Sequence, residues 1–142
     1  MSTEFDLTEP ALTADDLLVL NDPHFTPETT AVVTGAASGI GQATAVALAA
    51  NDLTVVGADI DEEGLEATVD LAADVGASGE IHPVPTDLTD DADVEAMIDV
   101  AAETGALRYV ANIAGMQHIA SIPEFPMEKY DLLLDIMLRA PF

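Results

Sequence analysis

Residues 34–41 read T-G-A-A-S-G-I-G and stand between a predicted apolar strand and a predicted Ala-rich helix. In such a turn Gly35 permits the tight bend, whereas Gly39 and Gly41 remove side chains that would block a phosphate or hold the helix off the strand. The N-terminus of the helix then presents unpaired N–H groups and a partial positive charge. The stretch therefore predicts a site for a nucleotide cofactor.

Apolar β-branched runs alternate with helical periodicity along most of the chain. Strands are predicted at 30–34, 53–57, 80–84 and 107–112, and helices at 40–50, 62–74, 91–103 and 127–139. This alternation is typical of βαβ units, so the predicted fold class is α/β with a Rossmann-type, doubly wound parallel sheet. We expect an incomplete sheet of about four strands in the order 3-2-1-4. That order puts Pro83 at an outer edge, where its missing N–H is tolerated.

Residues 1–28 differ from the rest and form a predicted acidic N-terminal extension. Pro10, Pro23 and Pro27 interrupt it, and Asp and Glu residues are frequent along it. Residues 13–20 are expected to form one short capped helix within this extension. Residues 29–142 are expected to form the folded part.

The chain is strongly acidic, with 27 Asp and Glu residues, three Lys and Arg residues and a net charge of −24. Nucleic acids and anionic membranes require Lys/Arg patches, so neither is an expected partner. The acids are spread along the chain, and the apolar fraction of 49% argues against disorder. The favoured interpretation is a surface adapted to concentrated salt, as in a halophile, and an ordinary acidic protein is the alternative.

The cysteine and histidine content and the lengths of the apolar runs exclude several kinds of site. Cysteine is absent, which excludes disulfides and thiolate chemistry. The three histidines are far apart and lack metal-ligand spacing, so no metal is expected. The N-terminus lacks a secretory signal pattern, and no apolar run approaches the ~20 residues that cross a bilayer. We expect a soluble, cytoplasmic protein that contacts no membrane.

Asp59 lies at the end of the second predicted strand and Ile60 follows it. In a dinucleotide-binding fold a carboxylate at this point accepts hydrogen bonds from the adenosine ribose hydroxyls. Its charge repels a 2′-phosphate, so Asp59 favours NAD over NADP. The alternative is that Asp59 merely belongs to the general acidity of the chain.

Two further strand ends carry candidate cofactor contacts. Asp87 and Leu88 follow the third predicted strand, where the carboxylate can meet the adenine amino group and the leucine can flank the ring. A turn or helix-capping role for Asp87 is equally compatible with the sequence. Residues 112–115, N-I-A-G, end the fourth predicted strand, where small residues let the backbone approach a ribose and Asn112 can tie neighbouring strands. A simple strand-ending turn is the alternative.

Together these motifs resemble the short-chain dehydrogenase/reductase family over residues 30–142. The family's T-G-x-x-x-G-I-G motif is matched in full at residues 34–41, and its N-N-A-G motif appears at 112–115 with the second Asn replaced. The resemblance implies the N-terminal part of an NAD-binding Rossmann domain over 29–142, in an oxidoreductase with NAD as cofactor. The residues it assigns to cofactor binding are Gly35, Ser38, Gly39, Ile40, Gly41, Asp59, Ile60, Asp87, Leu88, Asn112, Ala114 and Gly115.

A narrower resemblance concerns the 3-hydroxybutyrate dehydrogenase branch of that family. Residues 114–120 read A-G-M-Q-H-I-A and residues 124–131 read E-F-P-M-E-K-Y-D, both similar to that branch. The resemblance implies a small hydroxy acid as substrate, with Gln117 helping to hold its carboxylate. A polar loop residue is the alternative for Gln117. The family also implies a homo-oligomer for the full-length protein.

The sequence departs from the family in its catalytic residues. The family's catalytic Asn stands in a D-x-N-L context, and here residues 135–138 read D-I-M-L, which puts Met137 at that position. Neither Tyr109 nor Tyr130 has the family's Lys four residues later. We therefore expect a fragment of a longer protein, without turnover on its own. A non-catalytic dinucleotide-binding or assembly module is the alternative.

Overall fold

The computed structural model describes residues 12–142 and shows an α/β fold. The strands are β1 (Thr29–Thr34), β2 (Thr54–Asp59), β3 (Ile81–Pro85) and β4 (Ala106–Ala111). The helices are α1 (Gly39–Ala50), α2 (Glu62–Asp74), α3 (Asp91–Thr104) and α4 (Met127–Leu134). Single turns of 3₁₀-helix occur at Ala14–Asp16 and Ile122–Glu124.

The four strands form one parallel sheet in the order β3-β2-β1-β4. This is the order predicted from the alternation of strands and helices, and it confirms the Rossmann-type fold class. Pro83 lies in the outer strand β3, opposite Gly57 of β2. In the described sheet β3 pairs with β2 alone, so no strand on its other side needs the N–H that Pro83 lacks.

The core lies on both faces of the two central strands, β1 and β2. All six residues of β1 are buried. Ala31 and Val33 face a cluster formed with α1 and α2, whereas Val32 faces a second cluster that includes Met97 of α3. Because strand side chains alternate between faces, helices on both sides bury every residue of β1, and its central residues 31–33 are all apolar.

β4 is the other outer strand, and most of it is exposed. Tyr109 is 38% exposed and Val110 is 49% exposed. Phe25, from the segment before β1, packs edge-on against Tyr109 with ring centroids 6.0 Å apart. The outer edge of the sheet at β4 is therefore apolar and exposed, and this aromatic contact covers part of it.

Two predicted helices differ from the structure. The helix expected at 13–20 is wrong beyond Asp16, because Leu17 is already extended with φ −89° and ψ 124°. The side-chain amide of Asn51 accepts from the N–H of Leu20 and donates to the carbonyl of Leu18. These tertiary bonds replace the helical ones that residues 17–20 would otherwise make.

The last helix is also not a uniform α-helix over 127–139. It is α-helical to Leu134 and continues as a π-helical turn over Asp135–Arg139. The guanidinium Nη2 of Arg139 donates to both carboxylate oxygens of Asp91, at 3.0 and 2.8 Å. This exposed ion pair joins the π turn to the start of α3.

Candidate functional site

The stretch between β1 and α1 is a tight turn, and its three glycines differ in what surrounds them. Gly35 has φ +73°, and a Cβ there would lie 2.9 Å from the Cα of Ala114. A Cβ on Gly41 would overlap the carbonyl oxygen of Gly35. Gly39 has φ +53° and no atom within 4 Å of an added Cβ. The first and third glycines therefore allow close packing, whereas Gly39 faces open space.

Helix α1 begins directly behind this turn. Its N-cap is Ser38, which is extended and makes no side-chain capping bond. The first N–H groups of a helix have no partner within the helix. They consequently remain available at the start of α1 to an anion, which the helix dipole also favours.

A cavity of 490 Å³ opens in front of this turn, beyond the carboxyl ends of the strands. Eleven of the residues predicted to bind the cofactor line it: Gly35, Ser38, Gly39, Ile40, Gly41, Asp59, Ile60, Asp87, Leu88, Ala114 and Gly115. Thr86, Ile113 and Ile136 line it as well and were not predicted. Thr86 and Ile113 adjoin predicted residues in sequence, whereas Ile136 comes from the distant π turn and carries no local signal.

The carboxylate of Asp59 is held in place at the cavity wall. Its Oδ2 accepts from the N–H of Ala37 at 3.2 Å, and its Oδ1 accepts from the N–H of Asp61 at 3.1 Å. These two bonds orient the carboxylate from the loop on one side and from the start of α2 on the other. A fixed negative group therefore stands where β2 ends.

Asp87 lines the same cavity and also organises its own turn. Its Oδ1 accepts from the side-chain hydroxyl of Thr89 at 2.7 Å and from the N–H of Thr89 at 2.9 Å. The hydroxyl bond first, and the backbone bond second, hold the pKa of Asp87 below its ordinary value. Asp87 therefore has the turn role considered from the sequence, and it lines the cavity as well.

The tie between β1 and the end of β4 is made by Thr34. Its hydroxyl oxygen accepts from the N–H groups of Ile113 at 3.0 Å and Ala114 at 3.1 Å. Asn112, expected to make this tie, is exposed, and its side-chain amide forms no hydrogen bond within residues 12–142. Thr34, and not Asn112, therefore links β1 to the end of β4.

The remaining candidates lie toward the C-terminal side. Asn112 and Met137 line a second cavity of 310 Å³ beside the first, and Ala114, Gly115 and Ile136 border both. Met137 is 54% exposed and offers no amide to hold a water molecule. Gln117 is exposed in the segment after β4 and lines neither cavity. Its substrate contact stays a prediction.

Over residues 12–142, no three His, Cys, Asp or Glu side chains are grouped closely enough to hold a metal ion. In the same range, no helix has the length and apolar character required to cross a bilayer.

Curated proteins of known sequence are similar to most of this chain. The chain is 40% identical over 114 residues to D-threitol dehydrogenase of Mycolicibacterium smegmatis, a match covering 79% of this chain and 43% of the relative. It is 35% identical over 117 residues to D-beta-hydroxybutyrate dehydrogenase of Cupriavidus necator, covering 80% of this chain and 43% of the relative. The chain therefore spans less than half the length of these curated relatives.

A solved structure and a family model agree with these relatives. The crystal structure of a short chain dehydrogenase from Mycobacterium smegmatis superposes with a TM-score of 0.76 at 28% identity, over 87% of this chain and 52% of that one. The family model described as short chain dehydrogenase matches residues 29–142. This chain belongs to the short-chain dehydrogenase family of oxidoreductases.

Proposed function

We propose that residues 29–142 bind NAD as part of an oxidoreductase that acts on the CH–OH group of a small hydroxy acid such as 3-hydroxybutyrate. The observation that carries the proposal is the meeting of the glycine turn and the Asp59 carboxylate at one cavity. A dinucleotide needs both features, a side-chain-free anion site and an acceptor for ribose hydroxyls.

The diphosphate is assigned to the turn at the start of α1. Gly39 leaves open space that a larger side chain would fill, and Ser38 leaves the first N–H groups of the helix uncapped. Both observations suit a diphosphate lying against backbone amides. Among residues 12–142 no Lys or Arg lines the cavity, so these amides and the helix dipole supply its favourable electrostatics.

The adenosine half is assigned to the ends of β2 and β3. Asp59 is oriented by two backbone N–H groups, so its free lone pairs can accept from ribose hydroxyls. The same negative charge disfavours the 2′-phosphate of NADP. Asp87 and Leu88 are assigned to the adenine ring, with the carboxylate toward the amino group.

Bound NAD would supply a nicotinamide ring that accepts a hydride from the substrate carbinol. On this chain, Gln117 is the proposed contact for the substrate carboxylate. Neither tyrosine is followed by a lysine four residues later, and Met137 stands where the family has Asn. We therefore propose that these 142 residues bind NAD without turnover. From the family resemblance we also propose a homo-oligomeric assembly, with the cytoplasm as its location.

The charge distribution supports a surface adapted to concentrated salt. No Asp or Glu is buried within residues 12–142, so these carboxylates repel one another through solvent. Molar KCl shortens the Debye length to about 3 Å and removes this repulsion. The unfolding temperature, followed by circular dichroism, should rise with KCl up to the molar range. A temperature that is flat or falling with salt would contradict this interpretation.

The proposal is tested by comparing NADH and NADPH binding to the purified chain in molar KCl. We expect NADH to bind, NADPH to bind at least about tenfold more weakly, and Asp59→Asn to reduce that difference. Asp61→Asn is the matched control, because Asp61 caps α2 two residues later and does not line the cavity. Failure of NADH to bind, or equal binding of NADPH to the unaltered chain, would overturn the proposed function.

A further inference from the structure

The inner half of the glycine turn, Ala36 and Ala37, is held by side chains that do not line the cavity. The hydroxyl of Thr68, on α2, lies 2.8 Å from the carbonyl oxygen of Ala36 and 2.9 Å from that of Gly64 in its own helix, so its single proton is shared between the two carbonyls. The side-chain amide of Gln42, on α1, donates to the carbonyl of Ala37 at 3.4 Å and to the Thr68 hydroxyl at 2.9 Å. Neither polar side chain lines the cavity described above.

The backbone of this half-turn is completely paired with protein groups. The N–H of Ala36 donates to the carbonyl of Ala58 at 3.2 Å. The N–H of Ala37 donates to the Asp59 carboxylate at 3.2 Å. With the two carbonyls bonded by Thr68 and Gln42, all four polar atoms of Ala36 and Ala37 are directed away from a ligand. The next residues, from Ser38 onward, are left to face the cavity.

The contact between α2 and the turn is close and dry. Thr68 has no exposed surface, and Ala36 is likewise fully buried. A Cβ on Gly64, one helical turn before Thr68, would lie 2.7 Å from the Cβ of Ala37. Since a hydrogen bond in such an interior cannot be replaced by water, the Thr68 hydroxyl, which bridges the carbonyls of Gly64 and Ala36, joins α2 to the turn.

We propose that Thr68, supported by Gln42, is a positioning residue for cofactor binding. It holds the glycine turn and, through Ala37, the Asp59 carboxylate in a single hydrogen-bonded unit. The diphosphate site and the ribose acceptor then keep a fixed separation before the ligand arrives, which lowers the ordering cost of binding. This inference rests on the proposed NAD binding.

The test uses three threonine variants of the whole chain, with NADH titrated in molar KCl and folding checked by circular dichroism. Thr68→Val keeps the shape and removes the hydroxyl, and we expect the Kd for NADH to rise about fivefold. Thr68→Ser restores the hydroxyl and should return the Kd to within about twofold of the unaltered chain. Thr54→Val is the matched control, because the buried Thr54 hydroxyl donates to the carbonyl of Pro27 at the amino end of β2, away from the cavity.

A variant at Gln42 keeps the proposal testable if Thr68→Val does not fold. Gln42→Met removes the donor from a half-buried helix position, and its Kd should rise about threefold. The proposal is overturned if these variants bind NADH as tightly as the unaltered chain, or if Thr54→Val weakens binding equally. If the unaltered chain does not bind NADH, the proposed function fails and this inference fails with it.

Discussion

The two sides of the crevice at the carboxyl ends of the strands are built differently. On the side of β1 and β2, the turn and Asp59 are bonded to buried groups, and β1 is buried throughout. On the side of β4, the strand is mostly exposed, and Asn112, Gln117 and Met137 all present exposed side chains. The two sides are joined by hydrogen bonds that the Thr34 hydroxyl, at the end of β1, accepts from the N–H groups of Ile113 and Ala114.

This difference matches a division of roles. Hydrogen bonds from described residues hold the glycine turn, Asp59 and the Asp87 turn, which are the parts proposed to bind the diphosphate and the adenosine. The parts proposed to meet nicotinamide and substrate have little support around them. Preorganisation therefore favours cofactor binding by this chain, whereas the substrate side has few groups that could position a reacting atom.

The largest expected effect separates the ligand role of a glycine from its backbone role. Gly39 and Gly76 both have positive φ and open space around an added Cβ, but only Gly39 lines the cavity. Gly39→Leu should raise the Kd for NADH about a hundredfold or more, because the side chain fills the proposed diphosphate site. Isothermal titration calorimetry in molar KCl measures the change.

Gly76→Leu is its control and should cost only about 1–2 kcal/mol of stability, with the Kd unchanged. Equal loss of binding in both variants would mean that backbone strain, and not the diphosphate site, explains the effect.

The next effect compares the burial of β1 and β4 at partner positions. Val32 and Val110 are opposite each other in the sheet register, at 0% and 49% exposure respectively. Val32→Ala should lower the free energy of unfolding by about 2 kcal/mol, because it removes buried methyl groups and leaves a cavity. Val110→Ala should cost under about 1 kcal/mol. Similar losses in urea unfolding would show that β4 is as well covered as β1.

The smallest effect concerns the Asp87 turn beside the cavity. Because its folded pKa is lowered by Thr89, the bonds to this carboxylate stabilise the fold above the ordinary Asp pKa and are lost as pH falls through the lowered value. An NMR titration of Asp87 should show the low midpoint, and Thr89→Val should move it back toward the ordinary value. Thr44→Val is the control and should leave the Asp87 midpoint unchanged, because the Thr44 hydroxyl donates to the Ile40 carbonyl within α1. An Asp87 midpoint that ignores Thr89→Val would contradict this assignment.

Much of the supported side could be predicted from sequence because its signals are local. The periodicity over residues 62–74 matches α2 at both ends, and the glycine spacing placed the turn between β1 and α1. Sheet order followed from short alternating elements and from Pro83, whose missing N–H suits an outer strand.

The remaining features depend on contacts between distant residues. Leu18 and Leu20 lie outside any helix and bond to the side chain of Asn51, a partner that no local sequence pattern indicates. Thr68 resembles any threonine in a helix, and only the packing of α2 on the turn brings its hydroxyl to Ala36. The π turn after Leu134 likewise coincides with the pairing of Arg139 and Asp91, 48 residues apart.

The most direct test of the account is a map of amide NMR shifts during titration of NAD into the chain in molar KCl. We expect the largest shifts from Gly35 to Gly41 and around Asp59 and Asp87. Gly76 and Gly105, which lie outside the cavity, should be unaffected. Shifts spread evenly over the chain, or none at the glycine turn, would contradict the central claim that this turn binds the diphosphate.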